Sequence, residues 1–188
     1  MTIQEVKPAI RQFRYRQEKG DPEYGSCLWA IFNLDTENYT LTIESDCGNY
    51  SYGWHPTPNS ESFIHLMARV EEEYLLGKIA DESEFDYEAS KAQTIQNIEM
   101  AFEDEPEDID AILIQIDSQE CISDMKYSDR DFYHEMDDIL SEYNCYDRHE
   151  IIACEMDYSA QAKRIAHIFC TVLQPILKEE CEKEEHHG

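Results

Sequence analysis

The chain has 188 residues, of which 41% are hydrophobic and 11% aromatic, so it can bury a core and a fully disordered protein is excluded. Asp and Glu number 42 against 15 Lys and Arg, which gives a formal net charge of −27. This charge opposes binding to nucleic acid or to an anionic membrane surface.

The length predicts one domain over residues 1–188, with a strand-rich part at 1–55, a mainly helical acidic part at 59–180 and a loose tail at 181–188. No run approaches the roughly 20 apolar residues of a membrane helix, and the N-terminus lacks the apolar region of a signal peptide. We therefore expect a cytoplasmic protein. The seven widely spaced cysteines favour reduced thiols over a disulfide framework.

The N-terminal part has the pattern of strands. Phe13 and Tyr15 alternate with arginines, which is the period of two expected of a half-buried strand. Three further runs follow, separated by polar turns at 35–38 and 46–49: CLWAIFNLD (27–35), YTLTIES (39–45) and YSYGW (50–54). They predict an antiparallel β-meander of three to four strands, in which Tyr50, Tyr52 and Trp54 share one face and pack into the core.

Helices are predicted after a break at 55–60, where two prolines disfavour both strand pairing and helix. Apolar residues spaced three and four apart predict one helix from Ser60 to about Leu76, ended by Gly77. The same spacing predicts helices at 87–102 and 129–143.

A last helix is predicted to begin after Ser159, with Pro175 kinking it or marking its end. Its predicted inward stripe is Ile165, Phe169, Val172 and Ile176. The run at 109–116 fits a strand or a buried helical turn, and we favour a strand; 149–157 is also predicted as a strand. A β-meander packed by about four helices is an α+β fold.

The acidic residues are concentrated after Glu99. Between Glu99 and Asp138 there are 15 acids and two bases. Apolar residues are interspersed through this segment, which favours a folded acidic surface over a disordered tail.

The helix predicted at 129–143 carries a regular row of acids, which we call the acidic ridge: Asp131, Glu135, Asp138 and Glu142. Their spacing is one residue out of phase with the apolar stripe and separates them by roughly 4.5 to 6 Å along the helix axis. This is comparable to the rise of about 3.4 Å between phosphates along a DNA strand. The ridge therefore predicts a surface for a basic partner, although a solvated acidic face would give the same pattern. A second predicted partner-binding surface, the acidic patch, comprises Glu103, Asp104, Glu105, Glu107 and Asp108.

Motifs for catalysis and for metal binding are missing from the sequence. It contains no Gly-x-Ser-x-Gly elbow, no phosphate-binding glycine loop and no dinucleotide fingerprint. The segment Glu103–Asp110 lacks the glycine and the alternation of a calcium loop, and the spacing of Cys145, His149 and Cys154 matches no closed zinc site. We therefore predict a non-enzymatic protein with no catalytic residues, no cofactor and no metal.

The segment from Cys27 to Lys78 resembles the start of small acidic proteins encoded by phages and prophages. The matching residues are Asp46-Cys47-Gly48-Asn49-Tyr50, Tyr52 with Trp54, and Tyr74-Leu75-Leu76-Gly77-Lys78. Phage proteins of similar size and acidity include inhibitors of host defence nucleases, among them anti-CRISPR and anti-restriction proteins, several of which mimic DNA. The resemblance implies a protein that acts in the cytoplasm of the host cell.

Charge and resemblance together predict an inhibitor that mimics nucleic acid. Its expected partner is a basic nucleic-acid-binding host protein such as a CRISPR effector or restriction enzyme, with no direct binding to nucleic acid or membrane. The main alternative is an acidic adaptor or regulatory protein that binds a basic partner, and a homodimer is compatible with both. A hydrolase that uses carboxylates is the third hypothesis.

Overall fold

The computed structural model describes residues 9–21, 23–56, 60–143, 145 and 147–187. Within them, the strands are β1 (Ile10–Arg16), β2 (Trp29–Asp35), β3 (Thr40–Ser45), β4 (Gly48–Gly53), β5 (Glu84–Phe85) and β6 (Met156–Asp157). The α-helices are α1 (Phe63–Arg69), α2 (Glu72–Ile79), α3 (Tyr87–Ala101), α4 (Pro106–Glu120), α5 (Asp129–Ser141), α6 (Arg148–Ile151), α7 (Ala160–Ile168) and α8 (Gln174–His187). A π-helical turn, Phe169–Leu173, lies between α7 and α8. The α+β class is confirmed.

The chain divides into two units, each with its own buried core. Unit 1 is Met1–Glu82 with Tyr158–Gly188, and unit 2 is Ser83–Asp157. The single domain over residues 1–188 stays a prediction, so each unit is described by itself.

Unit 1 contains the predicted meander, a four-stranded antiparallel sheet in the order β1-β2-β3-β4. Its register places Phe32 opposite both Phe13 and Ile43. Alternate residues of β2 and β3 are buried, because side chains of a strand point to opposite faces in turn. The strands predicted from the period of two are therefore confirmed.

Aromatic side chains contribute contacts between the sheet region and the helical segments of unit 1. Phe32 and Phe169 make an edge-to-face pair with ring centroids 5.7 Å apart, and Trp54 lies 5.6 Å from Phe63. Tyr50, Tyr52 and Trp54 are half-buried against this core, as predicted.

The single helix predicted over 60–76 is wrong, since two helices, α1 and α2, occupy this region. Val70 between them has extended backbone angles. The buried side chain of Gln174 donates hydrogen bonds to the carbonyl oxygens of Met67 (3.3 Å) and Val70 (2.6 Å). These bonds help satisfy the carbonyl groups that lack an intrahelical partner where α1 ends. The helix is capped by Ser62 and not by Ser60 as predicted, and Gly77 lies inside α2 and does not end it. Residues 57–59 of the predicted break lie outside the described residues.

Pro175 does not end the last helix, since α8 continues beyond it to His187, and the π-helical turn precedes it; the predicted kink stays a prediction. A proline in a helix lacks an N–H and clashes with the carbonyl four residues earlier, and a wider turn accommodates both effects. The extra residue in this turn shifts the helical phase. Leu173 and Leu177 are consequently buried, whereas the predicted inward residues Val172 and Ile176 are 45% and 46% exposed.

Residues 181–187, which were predicted as a loose tail, are helical, since α8 continues to His187, and Cys181 is buried. Gly188 lies outside the described residues. Among the helices that are described, none combines the length and the apolar composition needed to cross a membrane.

Unit 2 is formed by α3 to α6 and the two-stranded pair β5-β6. Phe132 of α5 is fully buried at its centre, with its ring 5.5 Å from Phe85 and 5.9 Å from Tyr87. Met136 and Ile139 continue the buried stripe of α5, so the helix predicted here is confirmed. The helix predicted at 87–102 is confirmed as α3.

The strand predicted at 109–116 is wrong, because this run lies within α4. Pro106 occupies the first turn, where its missing N–H costs nothing, and two acids there interact favourably with the helix dipole. Ile112 and Ile116 are buried four residues apart while Ile114 is 70% exposed, a helical period that a short apolar run does not reveal. The strand predicted at 149–157 is also wrong over most of its length, since α6 and a loop precede the two residues of β6.

A four-residue ion-pair cluster links α3 and α4 in unit 2. Lys91 binds Asp117 at 3.0 Å and also pairs with Glu120, which accepts a further bond from Lys126 at 2.8 Å. The hydrogen bonds from Lys126 and Lys91 lower the pKa of Glu120 to about 2.

Changing Glu120 to Gln is expected to lower the thermal midpoint of unit 2 near neutral pH. Because the folded-state pKa lies below the value of about 4.3 in an unfolded chain, the carboxylate stabilises the protein above about pH 4.3, and this contribution is lost as the pH falls towards about 2. Scanning calorimetry of wild type and variant should show a difference that shrinks over this range. The exposed Asp124, changed to Asn, is the control; a difference that stays constant with pH would contradict the assignment.

Candidate functional site

Negative charge is concentrated in unit 2. Its 75 residues contain 23 acids and four bases, a formal charge of −19, whereas the rest of the chain has 19 acids and 11 bases, a charge of −8. The acids are therefore not evenly distributed over the sequence.

The bases of unit 2 do not neutralise the predicted binding residues. Lys91 and Lys126 pair with Asp117 and Glu120, and Arg148 binds Asp137 at 2.5 Å. Within the described ranges, no residue of the acidic ridge or the acidic patch forms an ion pair.

The acidic ridge lies along α5 as its spacing predicts. Asp131 and Asp138 are exposed and Glu135 is half-buried. Ser128 caps the helix by accepting a hydrogen bond from the Asp131 amide at 3.3 Å. The buried stripe that begins with Phe132 packs the adjacent face of α5, so these three carboxylates are held on a packed helix.

Glu142, the last ridge residue, immediately follows α5 and retains helical backbone angles. Its carboxylate accepts a hydrogen bond from the Gln115 side chain of α4 at 3.1 Å. This bond brings the end of the ridge next to α4, the helix that begins with part of the acidic patch.

A cleft of about 710 Å³ joins the two predicted surfaces. The ridge contributes Glu142 to its lining, and the patch contributes Glu105 and Asp108. Glu103, Asp104 and Glu107 are exposed but do not line this cleft. The structure thus brings together three of the nine predicted residues, while the others remain on the helix surface or in the connection between α3 and α4.

The cleft lining also contains residues that the sequence did not predict: Ala101, Phe102, Tyr143 and Cys145. Burial raises the pKa of the Cys145 thiol, so this group contributes no charge near neutral pH. Tyr143 continues the apolar spacing that predicted the helix at 129–143, whereas no periodic signal marks Cys145, which lies in the connection after α5.

The chemistry of this cleft suits a cationic group. Carboxylates accept charge-assisted hydrogen bonds from ammonium and guanidinium groups, and a guanidinium can bind a carboxylate through two parallel bonds. The cleft and the ridge together therefore offer one recess and one row of carboxylates to lysine or arginine side chains.

A family model described as "Phage family", Phage_phiTE_072, matches residues 2–179. Comparisons with curated proteins and with solved structures gave no match.

Proposed function

The chain belongs to the Phage_phiTE_072 family of phage proteins, and we propose that it inhibits a host protein by occupying a basic nucleic-acid-binding surface with unit 2. The proposed target class is a defence nuclease, such as a CRISPR effector or a restriction enzyme. The main observation in support of this proposal is that the nine acids predicted to bind a partner lie in the strongly acidic unit 2. Among the described residues, none of the nine is paired with a base.

Rigidity of the acidic surface supports this proposal. The ridge runs along α5 beside the face that is packed through Phe132, Met136 and Ile139. A carboxylate row on a packed helix loses less conformational entropy on binding than the same charges on a disordered tail would lose.

Like charges spaced three or four residues apart on a helix destabilise it by a few tenths of a kcal/mol per pair. Lysine and arginine side chains of a partner would relieve this repulsion. The partner's basic residues would contact carboxylates that are spaced like the charges of a polyanion. The partner would then be unable to bind DNA or RNA on the same surface.

The cleft adds a specific contact to this general attraction. Glu105, Asp108 and Glu142 line it together, and it has room for one long basic side chain. We propose that an arginine or lysine of the target enters the cleft while the ridge covers neighbouring basic residues.

Capture from a lysate of the phage's host, followed by mass spectrometry, tests the proposal. We expect a nucleic-acid-binding protein to be captured, to be released by rising salt, and to be displaced by duplex DNA or by RNA. A captured protein that does not bind nucleic acid would instead favour the adaptor function. Capture that salt does not weaken would contradict binding through the acidic surface.

A further inference from the structure

Two buried cysteines and an aspartate meet at one end of the sheet in unit 1. Cys27 and Cys47 are 1% and 3% exposed, whereas Asp46 is exposed. The two sulfur atoms and one carboxylate oxygen all lie within 4.8 Å of one another. Within the described ranges, this is the only group of three or more His, Cys, Asp or Glu residues with such spacing.

Strand pairing brings these residues together. Asp46 and Cys47 form the two-residue turn between β3 and β4, while Cys27 lies just before β2. Because β2 and β3 are antiparallel and Ala30 is paired with Ser45, the segment before β2 lies beside that turn. The site is therefore formed by residues 20 positions apart.

Hydrogen bonds stabilise the turn itself. The Ser45 hydroxyl donates to the Gly48 carbonyl at 2.6 Å and accepts from the Cys47 amide at 3.1 Å. The Tyr50 hydroxyl donates to the Cys47 carbonyl at 2.8 Å. Gly48 has a φ of +105°, which a residue with a Cβ rarely adopts. Cys47 is thus positioned before any ligand binds.

The Asp46 carboxylate is oriented by backbone donors. It accepts hydrogen bonds from the amides of Leu28 at 3.0 Å and Trp29 at 3.2 Å. Each carboxylate oxygen has two acceptor positions, so these bonds leave positions for another ligand. Supporting bonds of this kind are typical of carboxylates that coordinate a metal.

The distance between Cys27 and Asp46 fits a tetrahedral metal, and the other two pairs of ligand atoms lie within 4.8 Å of each other. A zinc ion about 2.3 Å from sulfur and about 2.0 Å from oxygen places those two ligands roughly 3.5 Å apart. The Cys27 sulfur and the Asp46 Oδ1 are 3.5 Å apart. The thiol hydrogens are bonded to carbonyl and carboxylate oxygens; the Cys47 thiol donates to the Ser26 carbonyl at 3.0 Å. A metal ion would replace these protons, so its binding requires no large movement of the ligand side chains.

We propose that Cys27, Asp46 and Cys47 bind a thiophilic divalent cation, zinc being the physiological ion of this class. Two thiolates and a carboxylate coordinate it, and a water molecule completes the tetrahedron from the side on which Asp46 is exposed. Binding one ion deprotonates both thiols and releases two protons, so affinity falls as the pH is lowered.

Cobalt(II) titration of the reduced full-length protein tests this site. We expect one cobalt ion per chain, with the charge-transfer absorption of a thiolate ligand, and displacement of that signal by zinc. Cys27→Ser and Cys47→Ser should each weaken binding by at least about 10-fold, and Asp46→Asn should weaken it while keeping the thiolate signal.

The control is the double variant Cys121→Ser with Cys154→Ser, which removes two exposed thiols of unit 2 and should leave the titration unchanged. Absence of the thiolate signal in reduced wild type overturns the proposal whether or not the serine variants fold. It is also overturned if the control variant loses the signal, or if Cys27 and Cys47 are found as a disulfide whose reduction yields no cobalt binding.

Discussion

Reversal of the acidic ridge, with Asp131, Glu135, Asp138 and Glu142 all changed to lysine, is expected to abolish capture of the basic partner. The four substitutions place positive charges where the partner's own positive charges would lie. Like-charge contacts across an interface cost several kcal/mol, so we expect affinity to fall by at least about 100-fold, equivalent to about 2.8 kcal/mol. Binding of the captured host protein, measured over a range of salt concentrations, checks this result.

The matched control changes four exposed acids of unit 1, Glu37, Glu44, Asp81 and Glu82, to lysine. This variant has the same net charge as the ridge variant, so it separates the position of the charges from their sum. Equal loss in both variants would mean that net charge alone attracts the partner. Retained binding in the ridge variant would exclude the ridge as the partner-binding surface. Loss of binding in a variant with the five patch acids changed to lysine would then assign binding to the acidic patch.

The elements with a long, regular pattern could be predicted from the sequence. In β2 and β3 the period of two was maintained over the whole strand, and in α5 the stripe from Phe132 to Ile139 extended over two turns. In such segments the burial of one face dominates the local energetics, so periodicity and structure agree.

Elements that depend on one distant contact could not be predicted in this way. The end of α1 is stabilised by Gln174, more than 100 residues later, which supplies hydrogen-bond donors at that point. The buried positions of α8 depend on the π-helical turn before Pro175, and one extra residue in that turn moves burial from Ile176 to Leu177. Neither effect changes the local apolar pattern.

The acidic surface and the cysteine site also differ in how far local sequence spacing determines them. The row formed by Asp131, Glu135 and Asp138 follows from helical spacing alone, whereas the cleft needs the packing of α4 beside the end of α5. The Cys27 and Cys47 pair required the register of β2 with β3, although the prediction of a turn at 46–49 already located one of the two cysteines.

Changing Phe132 to Ala is expected to remove about 3 to 5 kcal/mol from the free energy of unfolding of unit 2. The ring is fully buried and contacts both Phe85 and Tyr87, so its loss leaves a cavity at the centre of this core. Since a whole domain is typically stabilised by only about 5 to 15 kcal/mol, a large fraction of unit 2 stability would be lost. Hydrogen exchange should accelerate over residues 83–157.

The same experiment shows whether the two cores unfold separately. Phe132 belongs to a cluster confined to unit 2, while Phe169 belongs to the cluster of unit 1. We expect Phe132→Ala to leave the amides of β1 to β4 protected and cobalt binding at Cys27 and Cys47 intact, and Phe169→Ala to have the reciprocal effect on exchange. If either variant accelerates exchange equally in both units, the chain unfolds as one cooperative domain. Partner capture by Phe132→Ala should recover on adding a stabilising osmolyte, because this variant loses binding only through unfolding. Capture by the ridge variant should not recover.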